Sequence, residues 1–139
     1  MNKLVLFIGL WWQVPSVGTL MPGYQMVGLC GLAVALVAAA VSPVPLRDRW
    51  KWLLAPFLIT VLILAYGAAF QFEGGPAEAA PWRVNVLLLL LSLHAPATLA
   101  LVIYFRRNLL VPLGLAVFQA WYSYCAFIMS GMSVTNNWL

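Results

Sequence analysis

The sequence predicts an all-α integral membrane protein built as a compact bundle of five transmembrane helices. Three observations carry that prediction. Of 139 residues only seven are Lys or Arg and three Asp or Glu, 7% in all, whereas a soluble domain carries about a quarter charged residues. Hydrophobic residues make up 65%, and the mean hydropathy is +0.98. The charges fall in short clusters between apolar runs of spanning length, about 20 residues for a hydrocarbon layer about 30 Å thick. So few charges cannot cover a surface in water, which excludes a soluble globular protein, a disordered chain and a nucleic-acid-binding domain. The net charge of +4 resides in a few loop residues rather than on a basic face, so nucleic acid is not expected as a partner.

The first span is expected over residues 4–21, and it is the least regular because Gln13, Pro15, Ser16 and Thr19 interrupt its second half. It follows a thin basic start at Lys3, but no A-x-A-like cleavage site follows, so a retained helix is expected rather than a signal peptide. The second span covers 24–45, the third 52–72, the fourth 84–105 and the fifth 109–134. The Met21-Pro22-Gly23 turn predicts a tight hairpin of the first two spans. A transmembrane barrel would show alternating apolar and polar residues, and Leu87 to Leu91 is an unbroken leucine run. An alternative has four spans, with residues 4–20 re-entrant or lying in the interface. No soluble domain, internal repeat or nucleotide-binding motif interrupts residues 1–139, which read as a single membrane domain.

Orientation follows from the basic clusters. Arg47, Arg49 and Lys51 form one, Arg106 and Arg107 the other, and two spans separate them, so they share a face. Positive loops stay cytoplasmic, which in the five-span reading places the N-terminus inside and the C-terminus outside, in a bacterial inner membrane. Trp50, Trp52, Trp82 and Trp138 fall near span ends, where amphipathic rings prefer to sit, whereas Trp11 and Trp12 fall halfway along the first span. The basic clusters set topology, and beside Trp50 and Trp52 they are also candidates for binding anionic lipid head groups.

Two seams point to helix packing. Gly28, Gly31, Ala35, Ala38 and Ser42 recur at spacings of three and four in the second span. Membrane helices associate by close backbone approach at such small residues. In the fifth span Ala116, Gln119, Ser123, Ala126, Ser130 and Ser133 form a second seam that is also polar. The fourth span carries Ser92, His94, Pro96 and Thr98. His94 is the one ionisable group near mid-span, and Pro96 removes the donor to the Ser92 carbonyl, so the helix should bend there. Ser92, His94, Gln119, Tyr122 and Ser123 therefore form a candidate intramembrane polar site, with His94 expected to bond Ser92, Gln119 or Tyr122.

Catalysis is not expected, because Asp48, Glu73 and Glu78 all lie in loops, away from His94. One histidine and two distant cysteines, Cys30 and Cys125, make neither a metal site nor a thiol redox pair, so no cofactor is expected. The sequence thus predicts a non-catalytic membrane subunit that packs into a larger complex, with other membrane subunits or further copies of itself as partners. The alternative is a small homo-oligomeric transporter or channel with a polar site between the fourth and fifth spans.

Overall fold

The computed structural model describes residues 2–20, 22–42, 50–74 and 80–136, and every regular element among them is an α-helix. In chain order these are α1 (Lys3–Thr19), α2 (Pro22–Ala40), α3 (Trp50–Leu53), α4 (Phe57–Ala69), α5 (Trp82–Ser92), α6 (His94–Tyr104) and α7 (Leu110–Thr135). Local chemistry explains the boundaries. The Asn2 side chain caps α1 by accepting from the Leu4 amide. Pro22 opens α2, where its missing N–H costs nothing. Between α3 and α4 the chain tightens into a turn around Pro56, with Phe57 N donating to Leu54 O. The fourth apolar run breaks at Leu93, three residues before Pro96, as the missing proline donor predicts. Asn136 ends α7 in the left-handed conformation, with φ 54°.

Three helices are long and apolar enough to cross a membrane: Pro22–Ala40, Trp82–Tyr104 taken through its break, and Leu110–Thr135. Phe57–Ala69 is apolar but shorter.

Helix α7 is the spine against which every other long helix packs, and the contacts along it fix the helix directions. Leu53, Thr60, Ile63 and Gly67 meet Gln119, Ser123, Ser130 and Ser133 in that order, so α3–α4 runs parallel to α7. Gly28 lies on Trp121, Gly31 on Gly114 and Val117, and Ala35 on Gly114, so α2 runs antiparallel to α7. Arg83 reaches Val134 while His94 meets Ser123, so α5–α6 is antiparallel as well. Helix α1 places Lys3 on the Ala69 carbonyl and Trp11 beside Phe57, so it is antiparallel to α4.

Helices α1 and α2 therefore run in the same sense, which corrects the expected hairpin. They touch only slightly, and the Trp121 ring lies between Gly18 of α1 and Gly28 of α2. Met-Pro-Gly reads as a reversal, but a proline at the first position of a helix equally restarts the chain in its old direction. The result is four limbs of alternating sense: α1–α2, α3–α4, α5–α6 and α7. Lys3, Arg83 and Asn136 gather at one end of the bundle.

The core has two parts. The larger is built by Leu6, Leu10, Val14 and Val17 of α1 with Ile63 and Leu64 of α4, Leu87 of α5 and Ala126 and Met129 of α7. The smaller holds Leu53, Leu101, Phe105 and Val111 at the opposite end, with Ala38 packed on it.

Candidate functional site

Gln119, Ser123, Ala126, Ser130 and Ser133 alternate at spacings of four and three, which aligns them on one face of α7. That face lies on α3–α4, and its side chains are buried. Ser130 Oγ donates to Ile63 O at 3.0 Å, and Ser133 Oγ donates to Gly67 O at 2.9 Å. Gly67 permits this approach, since a Cβ there would lie 2.6 Å from Ser130 Cβ.

Gln119 has a specific task. In a regular helix the Leu53 carbonyl would accept from Phe57 N, but that amide bonds Leu54 O instead at 2.9 Å. Residue 56 is proline and has no N–H to offer. Gln119 Nε2 supplies the missing donor to Leu53 O at 2.8 Å. Its Oε1 is buried without a protein partner.

One turn along α7, Ser123 joins two other helices. Its hydroxyl is hydrogen-bonded to His94 Nε2 at 2.6 Å and to Thr60 Oγ1. Thr60 and Ser123 are fully enclosed and His94 is buried. The break at Leu93 positions His94 as the first residue of α6, directed into the bundle. One consistent proton arrangement has Thr60 donating to Ser123 and Ser123 donating to Nε2, which leaves the imidazole proton on Nδ1. The reverse order, from Nε2–H through Ser123 to Thr60, uses the same three atoms. The cluster can therefore hand a proton along two hydroxyls.

A serine beside a histidine is also the elementary unit of nucleophilic catalysis. Here the serine has no exposure, and a second hydroxyl occupies its other side, so no substrate reaches it in this conformation.

The polar site read from the sequence is therefore only partly assembled. His94 and Ser123 meet, and Thr60 joins them without having been anticipated. Gln119 is close on the same helix face but serves Leu53. Ser92 stands apart: two residues from His94 it faces the other side of the limb, and its hydroxyl returns to Leu89 O at 2.7 Å. Tyr122 turns to a different face of α7, stacking on Phe57 with ring centroids 5.4 Å apart and lying 6.0 Å from Trp11. The expected partners of His94, namely Ser92, Gln119 or Tyr122, are replaced by Ser123. Thr60 did leave a signal, being the one Ser, Thr, Asn or Gln between Trp52 and Tyr66.

In the α2 seam, Gly28, Gly31 and Ala35 are buried against α7. Ala38 packs on the smaller core cluster, and Ser42 is half-buried just beyond the helix. Lys51, Arg106 and Arg107 are exposed, whereas Arg47 and Arg49 lie outside the described residues. Arg83, which the sequence places merely in a loop, pins the opposite end. Its Nη1 donates to Phe70 O at 3.1 Å, and its guanidinium lies 4.8 Å from the Phe72 ring centroid. Among the described residues no three His, Cys, Asp or Glu side chains converge as metal ligands would. Comparison with known protein families, curated proteins and solved structures finds no match.

Proposed function

We propose that this chain is a non-catalytic integral membrane subunit that packs into, and stabilises or helps assemble, a larger membrane complex. The observation that carries this reading is the division of polar groups between the inside and outside of the bundle. The inward polar side chains of α7 are engaged in tying α7 to its own neighbours. On α1 the buried stripe is Leu6, Leu10, Val14 and Val17, while Trp12, Gln13, Ser16 and Thr19 face outward. Ser16 and Thr19 satisfy themselves on Gln13 O and Ser16 O, both at 2.6 Å. The Gln13 amide is exposed, and Trp12 beside it is 84% exposed. An amide directed into hydrocarbon needs a donor and acceptor from another helix. A partner subunit covering α1 supplies them.

In this reading each of the four limbs crosses the membrane once. The basic loops face the cytoplasm of a bacterial inner membrane, and Lys3 and Asn136 lie on the other side. A reporter fused before Lys3 and one fused after Leu139 should both read as non-cytoplasmic. A cytoplasmic N-terminal reporter would restore five spans.

The subunit reading is tested by the native mass of the detergent-extracted complex. The expected result is a stoichiometric second membrane protein whose association is lost in Gln13→Leu. A free monomer would overturn it.

A homo-oligomer with a polar lumen would favour the second reading, a small transporter. The observation behind that reading is the helix break at Leu93 beside the His94–Ser123–Thr60 chain. In it, His94→Gln should abolish a pH-dependent flux while leaving the fold intact, because Gln keeps a donor and an acceptor but does not titrate near neutral pH.

A further inference from the structure

A groove opens between α3–α4 and α6 at the end of the bundle that carries the basic residues. It has a volume of about 510 Å³ and is lined by Trp52, Pro56 and Ile59 on one wall and Ala97, Ala100 and Tyr104 on the other. Its origin is local. Helix α5 packs on α4, but after the break at Leu93 the chain diverges, and α6 makes no comparable contact with α4. The alanines on the diverging wall leave the wedge unfilled. Its volume lies within the range of ordinary ligand pockets, about 300–1,000 Å³. From Ala97 to Tyr104 the wall runs seven residues, about 10 Å at 1.5 Å per residue, within one leaflet's hydrocarbon depth of about 15 Å.

We propose that this groove holds one acyl chain of an anionic membrane phospholipid whose phosphate is bound by Lys51 and Arg106. Charge complementarity selects this occupant. Lys51 lines an adjoining hollow that shares Trp52 and Ala55 with the groove. Arg106 and Arg107, two and three residues beyond Tyr104 on the groove wall, line a further hollow at the same end, beside Ala38 and Val41. All three cations are exposed, and the sequence over 46–58 and 101–111 holds five Lys or Arg against the single Asp48, a net positive balance. Trp52 and Tyr104 stand at the mouth, 52% and 49% exposed, as amphipathic rings do at head-group level. The groove itself is apolar, so the occupant must be greasy along its length and anionic at its tip. A soluble phosphate compound meets only half of that description, and a partner helix would have to present acids at the mouth.

This inference rests on the membrane reading alone and is independent of whether a partner subunit covers α1. The test is native mass spectrometry of the full chain released from nanodiscs of equal phosphatidylglycerol and phosphatidylcholine. One retained lipid per chain is expected, with phosphatidylglycerol preferred. Replacing Lys51→Gln and Arg106→Gln together should reduce that preference, by about fivefold for each charge removed. Ala100→Phe should lose the retained lipid of either kind. Equal retention of the two lipids by the unaltered protein would overturn the proposal. Because Ala100→Phe also alters packing, a second measurement uses unaltered protein and phosphatidylglycerol carrying a photoreactive group on its acyl chain. Cross-links are expected on residues 50–59 and 97–104. Labelling spread evenly over the outer face of α2 would overturn the site.

Discussion

Helix α7 is held on two sides by opposite means. Toward α2 the contact is bare backbone: a Cβ on Gly31 would lie 2.8 Å from Gly114 O, and a Cβ on Gly114 would lie 2.5 Å from Gly31 O and 2.8 Å from Ala35 N. Among the described residues no side-chain hydrogen bond joins these two helices. Toward α4 the contact is a row of side-chain-to-carbonyl bonds, from Leu53 to Gly67. In lipid there is no hydrophobic drive between helices, so dispersion and hydrogen bonds must supply the association. The glycine side maximises dispersion by bringing backbones together. The serine side is close as well, with a Cβ on Gly67 falling 2.6 Å from Ser130 Cβ, but it adds directed bonds to the approach. The first should fail abruptly when bulk is added, the second gradually as bonds are removed one at a time.

The sharpest break of this contrast is Gly31→Leu or Gly114→Leu. Backbone atoms cannot swing aside as a side-chain tip can, so the loss should exceed the usual overpacking cost of about 1–3 kcal/mol. Reversible unfolding in mixed micelles measures it, with Leu36→Phe on the exposed face of α2 as the control. Equal tolerance at Gly31 and Leu36 would remove the asymmetry.

Next in size is Ser123→Ala, which strips one hydroxyl from both His94 and Thr60. A loss of about 1–2 kcal/mol is expected, since two buried groups lose a partner together. Thr60→Val in the Ser123→Ala background should then cost less than it does alone, and a double-mutant cycle reads this coupling.

Ser130→Ala and Ser133→Ala should each cost about 0.6 kcal/mol. Their acceptors are different carbonyls, so the two losses should add. A cooperative collapse on the first of them would show that the serine side is not graded.

The smallest effect is expected for Gln119→Leu. It frees the Leu53 carbonyl but also removes a buried Oε1 that has no protein partner. The two contributions oppose each other, leaving a change within about 0.5 kcal/mol of zero. A large loss in the same unfolding measurement would mean that another group completes the amide.

The seam of α2 and the serine face of α7 are visible in the sequence as spacings, because small residues and hydroxyls at three and four repeat wherever one stripe of a helix must be approached closely, whereas Gly114, Val117 and Trp121, on which α2 lands, belong to neither pattern. The apolar runs are visible too, since charged boundaries define them, but the run expected over 52–72 is divided by the turn at Pro56 into α3 and the 13-residue α4. Direction is not visible. No charge falls between Lys3 and Arg47, so nothing in that stretch marks which side of the membrane Met21-Pro22-Gly23 occupies. A hairpin and a restart have the same composition there. The polar site was half visible for a similar reason. His94 and Ser123 announce themselves as polar residues in apolar runs, but which hydroxyl a histidine meets depends on how three helices are rotated. Ser92 is a neighbour of His94 in sequence but not in orientation, and a single threonine among aliphatics, as Thr60 is, carries no spacing that marks its partner. The need for Gln119 is the most indirect case. It arises from a carbonyl, and carbonyls are the same in every residue; only Pro56 hints that one of them lacks its donor.

The Trp121 ring has a consequence beyond packing. A Cβ on Gly18 would lie 2.6 Å from Cζ2 of that ring, and one on Gly28 would lie 2.6 Å from Cδ2. Two positions ten residues apart are thus answerable to one side chain. Among naturally varying relatives the three sites should change in concert: where the indole shrinks to leucine or phenylalanine, alanine or serine becomes admissible at positions 18 and 28, and where the indole stays, both glycines stay.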